Sequence, residues 1–159
     1  MTSILGTESI QHPNGTASTN IGTDGSVALD TLKGRTTAGS IAVQGEGTNT
    51  TNLQQGLAKV WINFQGQDTF STRGSFNLAS MTDNGVGDYT INIGTDMGNN
   101  DYSITATGYK PSASFGFITN NNQNFFTTST ARIETVEHDG GHKQTEFDQS
   151  CVTIHGDLA

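Results

Sequence analysis

Ser75-Phe-Asn-Leu-Ala-Ser-Met-Thr-Asp-Asn-Gly-Val-Gly-Asp-Tyr-Thr-Ile-Asn-Ile93, the stretch "SFNLASMTDNGVGDYTINI", decides the fold class. It reads as two strands joined by a turn. Asn84-Gly85 and the second glycine, Gly87, can adopt positive φ at little cost, which tight hairpin connections require. Beyond the turn, Tyr89, Ile91 and Ile93 alternate with Thr90 and Asn92, the period of a strand with one buried face. No residue in the stretch is placed to act as a nucleophile or a general base. The hairpin therefore reads as construction, and chemistry has to be sought elsewhere.

Composition extends this reading to the whole chain. The 159 residues suit one compact domain plus an extension, or one unit of a larger assembly. Only 14% are charged and 31% hydrophobic, and uncharged polar residues fill the difference: 25 Thr and 14 Asn beside 20 Gly. Thr favours strands, while Asn and Gly favour turns. No segment has sustained helical period, so the expectation is an all-β protein. The net charge of −8 and the scatter of its seven basic residues argue against a nucleic-acid partner. No run approaches the roughly 20 apolar residues of a membrane span, and no secretion-signal pattern opens the chain. Cys151 is the one cysteine, which excludes an intramolecular disulfide and reads as a buried structural thiol.

The chain divides near residue 52. Residues 1–52 hold few large apolar side chains, among them Ile4, Leu5, Ile10, Val27 and Leu32, too few for a core of their own. A disordered leader and an extended arm of short strands packed against other chains are the two readings. Turn signals at Pro13-Asn14-Gly15 and Asp24-Gly25 favour the arm. Ile4, Leu5, Ile10 and, further on, Trp61 are the candidate subunit-interface residues; Trp61 lies opposite the Val60/Ile62/Phe64 face and either packs in a second layer or meets a neighbouring subunit.

Residues 53–159 show stronger patterning. Leu53 to Ala58 fits one helical turn or a loop. Strands are expected at Val60–Phe64, Thr69–Leu78, Gly87–Ile93, Tyr102–Thr107, Ser114–Ile118, Phe125–Glu137 and Glu146–His155. Strands of this length between turn signals predict a β-sandwich or jelly-roll-like domain, with edges that oligomerisation would cover.

Candidate sites are few. No Gly-x-Ser-x-Gly, His-Glu-x-x-His, phosphate-binding glycine loop or Cys-x-x-Cys occurs, so neither catalytic residues nor a cofactor are implied. In "EHDGGHKQTEFD", Glu137 to Asp148, His138 and His142 are weak metal-ligand candidates, and a hairpin loop explains them as well. "TDNGVGD" (Thr82–Asp88) and "TDMGNND" (Thr95–Asp101) are rich in oxygens but lack a calcium loop's closing glutamate, and turn chemistry accounts for both. In "ITNNNQNFF", Ile118 to Phe126, the residues Asn120, Asn121, Asn122 and Asn124 are the candidates for receptor contact; the plainer reading is a polar loop leading into a core strand.

Three segments in order, "LQQGLAKVWINFQG", "DTFSTRGSFNLASMTDNGVGDYTINI" and "DYSITATG", resemble a β-domain of tail-fibre-like virion proteins of tailed bacteriophages, especially marine ones. The resemblance covers Leu53 to about Gly108, and the leader "SILGTESIQHPNGTAS" resembles the N-terminal pattern of such proteins. It implies a non-enzymatic homotrimer, assembled in the bacterial cytoplasm, displayed on the virion surface and bound to other virion proteins. Contact with a host glycan or protein is also implied. The chain is short for a whole fibre, and the part after Tyr109 matches least, so a head decoration protein is the alternative. A carbohydrate-binding or carbohydrate-active domain is the third reading.

Overall fold

The computed structural model describes residues 9–11, 17–21, 26–28, 31, 32, 41–44, 47–111, 116–119, 126–138 and 141–159. They fall into two units, Met1–Ser40 and Ile41–Ala159. In the first, β1 (Ser9–Gln11), β2 (Ala17–Ile21) and β3 (Val27–Ala28) form an antiparallel sheet in that order. Val27 and Leu32 are exposed there.

The second unit opens with the ribbon β4 (Ala42–Gln44) and β5 (Thr50–Asn52), followed by the short helix α1 (Leu53–Gly56). Asn52 caps α1: its side-chain oxygen accepts from the Gln55 N–H at 3.1 Å. The remaining strands are β6 (Ala58–Gln65), β7 (Ser71–Phe76), β8 (Leu78–Gly85), β9 (Asp88–Ile93), β10 (Ser103–Tyr109), β11 (Gly116–Thr119), β12 (Thr130–His138), β13 (His142–Gln144) and β14 (Gln149–His155). They build a four-stranded sheet, β10-β14-β6-β7, and a five-stranded one, β11-β12-β9-β8 with β13 also on β12. All pairs are antiparallel. The protein is all-β, as its composition implies.

The alternation seen in sequence is the burial pattern. Val60, Ile62 and Phe64 of β6 and Val152 and Ile154 of β14 point inward from the four-stranded sheet. Tyr89, Ile91 and Ile93 of β9 and Ala131 and Ile133 of β12 come from the other sheet into the same cluster. Each fully buried side chain of this size stabilises by roughly 1.5–3 kcal/mol, which is what holds the two sheets face to face. Phe64, Phe70 and Tyr89 form the aromatic centre, Phe64 edge-on to Tyr89 at 4.9 Å between ring centroids. At one end Phe147 is fully buried over Gly108, where a Cβ would lie 2.1 Å from the Phe147 ring. At the other, Tyr102 packs on Phe126, and its hydroxyl reaches the Thr127 and Thr130 carbonyls, both at 3.0 Å. Burial pushes the Tyr102 hydroxyl pKa up to about 12.

The hairpin predicted from the opening stretch is β8–β9, with two differences. Its turn residues are Val86 and Gly87, between the paired Gly85 and Asp88; positive φ occurs at Gly85 and Gly87 and not at Asn84. The first strand begins at Leu78, because the expected strand Thr69–Leu78 breaks at Asn77. Asn77 has φ 55 and turns the chain from β7 in one sheet to β8 in the other. Its side chain completes the corner by accepting from the Thr95 N–H at 2.6 Å and donating to the Thr95 carbonyl at 3.1 Å. An asparagine tolerates this backbone region and supplies the missing sheet-like bonds at once. The strand expected at Phe125–Glu137 is ordered as β12 from Thr130, while Phe126 makes an isolated bridge to Ala131 and packs against the core.

Candidate functional site

Each sheet has an outer face, and the strand register assigns its residues. On the four-stranded sheet, Thr105, Thr153, Trp61 and Phe76 lie in one row from β10 to β7. The next row is Thr107, Cys151, Asn63 and Gly74. Directly paired residues share a face, so both rows point away from the core. Ser103 paired with His155 ends the face on one side, and Tyr109 paired with Gln149 on the other. None of these residues carries a carboxylate or an ammonium group, in a chain of net charge −8, while Arg73 brings a guanidinium to the Tyr109 end by donating to Gln65 Oε1 at 2.6 Å. Trp61 is 44% exposed, Phe76 53% and Tyr109 61%, so three aromatic side chains stand in solvent on one sheet. Gly74 leaves the Trp61 ring room to lie across β7, with the ring carbons 3.5 and 3.6 Å from where a Cβ would be. Asn63 Oδ1, buried among these side chains, accepts no hydrogen bond.

At the Ser103–His155 end the face runs into an open cleft of about 370 Å³ lined by Gln55, Asn99, Asp101, Ser103, His155 and Asp157. Three separate parts of the chain meet there: α1, the β9–β10 connection and the end of β14. Asn99 Oδ1 accepts from the Asp101 N–H at 2.8 Å, which shapes the connection, and Gln55 reaches Asp157 across the cleft at 3.5 Å. The volume lies within the range of small-ligand sites, and the lining offers several hydrogen-bonding groups. No sequence motif announces the cleft. Only the β10–β14 pairing brings residues 101–103 beside residues 155–157.

The five-stranded sheet presents a different outer face. Asn92 donates from β9 to Ser80 Oγ at 3.0 Å and toward Thr82 Oγ1 at 3.4 Å on β8. Asn84 donates to Thr90 Oγ1 at 2.9 Å and to Asp88 Oδ1 at 3.3 Å. Arg132 on β12 grips Asp88 with two nitrogens, Nε to Oδ1 at 2.7 Å and Nη2 to Oδ2. Those hydrogen bonds, opposed by partial burial, hold the Asp88 carboxyl below its ordinary range. Polar groups here satisfy one another across the strands.

The other candidates are placed as follows. In "TDNGVGD" the Asp83 carboxylate accepts from the Gly85 N–H at 3.0 Å, so its oxygens serve the turn. His138 and His142 face each other in the β12–β13 register, but their side chains lie outside the described residues. Among the described residues no group of three or more His, Cys, Asp and Glu is arranged to hold a metal. Asn120, Asn121, Asn122 and Asn124 lie outside the described residues, as do Ile4, Leu5 and the side chain of Ile10. Cys151 is half-buried on the aromatic face, with the Gln149 amide 3.7 Å from its sulfur. Among the described residues no helix is long and apolar enough to cross a membrane. Compared with protein-family models, curated proteins and solved structures, the chain has no match.

Proposed function

We propose that the chain is a non-enzymatic structural protein of a tailed-phage virion, tail-fibre-like, displayed on the particle surface as a homotrimer. The observation that carries this is the resemblance of residues 53–108 to the β-domain of such proteins. The same residues supply α1 and strands β6 to β10, which contribute to both sheets and most of the core. A platform of this kind attaches at one place and displays at another. Residues 1–52, with their short strands and exposed Val27, Leu32 and Val43, suit an arm that orders against other virion proteins and neighbouring copies. Among the described residues β7 and β10 are the edge strands of the four-stranded sheet, and edge strands are of the kind that trimer contacts cover.

Immunogold labelling of particles with antibody to the full chain tests the reading. Tail labelling is the expected result. Head labelling moves the assignment to the alternative, a capsid decoration protein, and unlabelled particles contradict both. Native mass spectrometry at micromolar concentration should give a trimer, and a folded monomer would remove the oligomeric part.

A further inference from the structure

We infer that Asn84-Gly85, at the β8–β9 turn, is a latent deamidation site: shielded while the turn is closed, modified when it opens, and kept from closing again by its own product. This goes beyond the virion reading and does not depend on it. An asparagine followed by glycine is especially prone to lose its side-chain amide, because glycine has no Cβ to hinder the approach of its nitrogen to the asparagine Cγ. The chain has two such pairs, Asn14-Gly15 and Asn84-Gly85. The second lies among the described residues, with both members exposed to water. The pairing of Asp83 with Tyr89 and of Gly85 with Asp88 leaves Asn84 as the extra residue of a bulge, outside the ladder.

The closed turn ties down both reacting groups. The Gly85 N–H donates to Asp83 Oδ1 at 3.0 Å. Asn84 Nδ2 reaches across to β9, to Thr90 Oγ1 at 2.9 Å and Asp88 Oδ1 at 3.3 Å. Reaction requires the reverse. The Gly85 nitrogen gives its proton to hydroxide and bonds to Asn84 Cγ; the Cγ–Nδ2 bond breaks, and the nitrogen leaves as ammonia with a proton from water. A further water then opens the cyclic imide to aspartate or isoaspartate. Proton loss breaks the bond to Asp83, and swinging the carboxamide back onto its own main chain breaks both bonds to β9. The Asp83 and Asp88 carboxylates also oppose the negative charge developing on nitrogen. Opening the turn removes all three hydrogen bonds. Among the described residues β8 is an edge strand, and a hairpin tip on an edge opens more readily than the core. After reaction a carboxylate stands where the amide donated to Asp88. That donor helps to hold the Asp88 carboxyl below its ordinary range, so its loss moves the carboxyl back up and sets like charges side by side. Isoaspartate in addition lengthens the main chain inside the bulge.

The test incubates the full chain in mildly alkaline buffer, native and unfolded in guanidinium chloride. Conversion at Asn84 is followed by tandem mass spectrometry, with enzymatic methylation to count isoaspartate. It should be at least about tenfold slower in the native chain, the combined effect of the hydrogen bonds that opening must break. Thr90→Val, which removes one acceptor of the Asn84 amide, should speed native conversion about fivefold with an unchanged circular dichroism spectrum. Asp83→Ala, at an exposed position, should do the same by releasing the Gly85 N–H. Asn84→Asp, one of the two products, should lower the urea midpoint and raise the Asp88 titration followed by NMR. Equal rates in the native and unfolded chains would overturn the shielding. Native conversion that neither Thr90→Val nor Asp83→Ala accelerates would overturn the part given to the hydrogen bonds. An Asn84→Asp chain with an unchanged midpoint and an unchanged Asp88 titration would overturn the effect of the product.

Discussion

The two outer faces of the body are built from similar residue types and end in opposite states. On β8, β9 and β12, Asn84, Asn92, Ser80, Thr82, Thr90 and the Arg132–Asp88 pair hydrogen-bond across strands. On β6, β7, β10 and β14, Trp61, Phe76 and Tyr109 stand in solvent, and Asn63 has an oxygen without a donor. Both sheets bury equivalent inner faces against each other, so stability does not require the difference. A face whose polar groups are mutually satisfied gains little from a partner. One that exposes aromatic surface gains from covering it.

The largest break in this arrangement comes from the turn that closes the polar face. Gly87 has φ +68, and a Cβ there would lie 2.6 Å from the Thr135 carbonyl oxygen and 2.7 Å from the Thr145 nitrogen. Gly87→Ala should destabilise by about 3 kcal/mol or more, through backbone strain and a clash with fixed main chain. A shift of the urea midpoint measures it, and an unchanged midpoint would show that the turn is not as tight as described. Asn77→Ala, at the corner joining the two sheets, loses two hydrogen bonds and an asparagine's tolerance of positive φ. The expected cost is about 2–3 kcal/mol.

The Arg132–Asp88 pair predicts a smaller, pH-dependent effect confined to the polar face. Asp88 has a folded pKa below its ordinary 3.8, so the folded state holds fewer protons than the unfolded one. The pair's contribution is complete above that ordinary value and disappears as pH falls through the lower folded value. About 1 kcal/mol is at stake, given that the arginine is partly exposed. Asp88→Asn should lose that amount near pH 7 and should lower the acid sensitivity of the melting temperature below about pH 4. Equal acid sensitivity in the variant would contradict the pairing.

The smallest stability effects belong to the aromatic face. Thr153→Glu, beside Trp61, should change stability by no more than about 0.5 kcal/mol. Asn92→Ala on the polar face should cost about 1 kcal/mol, because two cross-strand hydrogen bonds go with it. Thermal melts of the two variants compare the faces directly, and the reverse order would mean that the aromatic face serves stability.

The fold was legible to the extent that it depends on alternation. Val60/Ile62/Phe64 and Tyr89/Ile91/Ile93 announce their inward faces with period two, and the same alternation sends Trp61 outward. Periodicity says nothing about which strands become neighbours, which is why sandwich and jelly roll were equal expectations. The corner at Asn77 was hidden, since "STRGSFNLAS" contains no proline or glycine at the break and reads as continuous strand. The cleft was hidden for a longer-range reason: Asp101 and His155 lie far apart in sequence and meet only through the β10–β14 register. Phe76 and Tyr109 look like ordinary strand residues until the register puts them on the face of Trp61.

Acrylamide quenching of the full chain tests the contrast between the faces most directly, because Trp61 is its one tryptophan. The emission should be quenched as that of an accessible indole, in keeping with an exposure of 44%. A Trp61 shielded from the quencher would mean that the aromatic face is covered and would contradict the account.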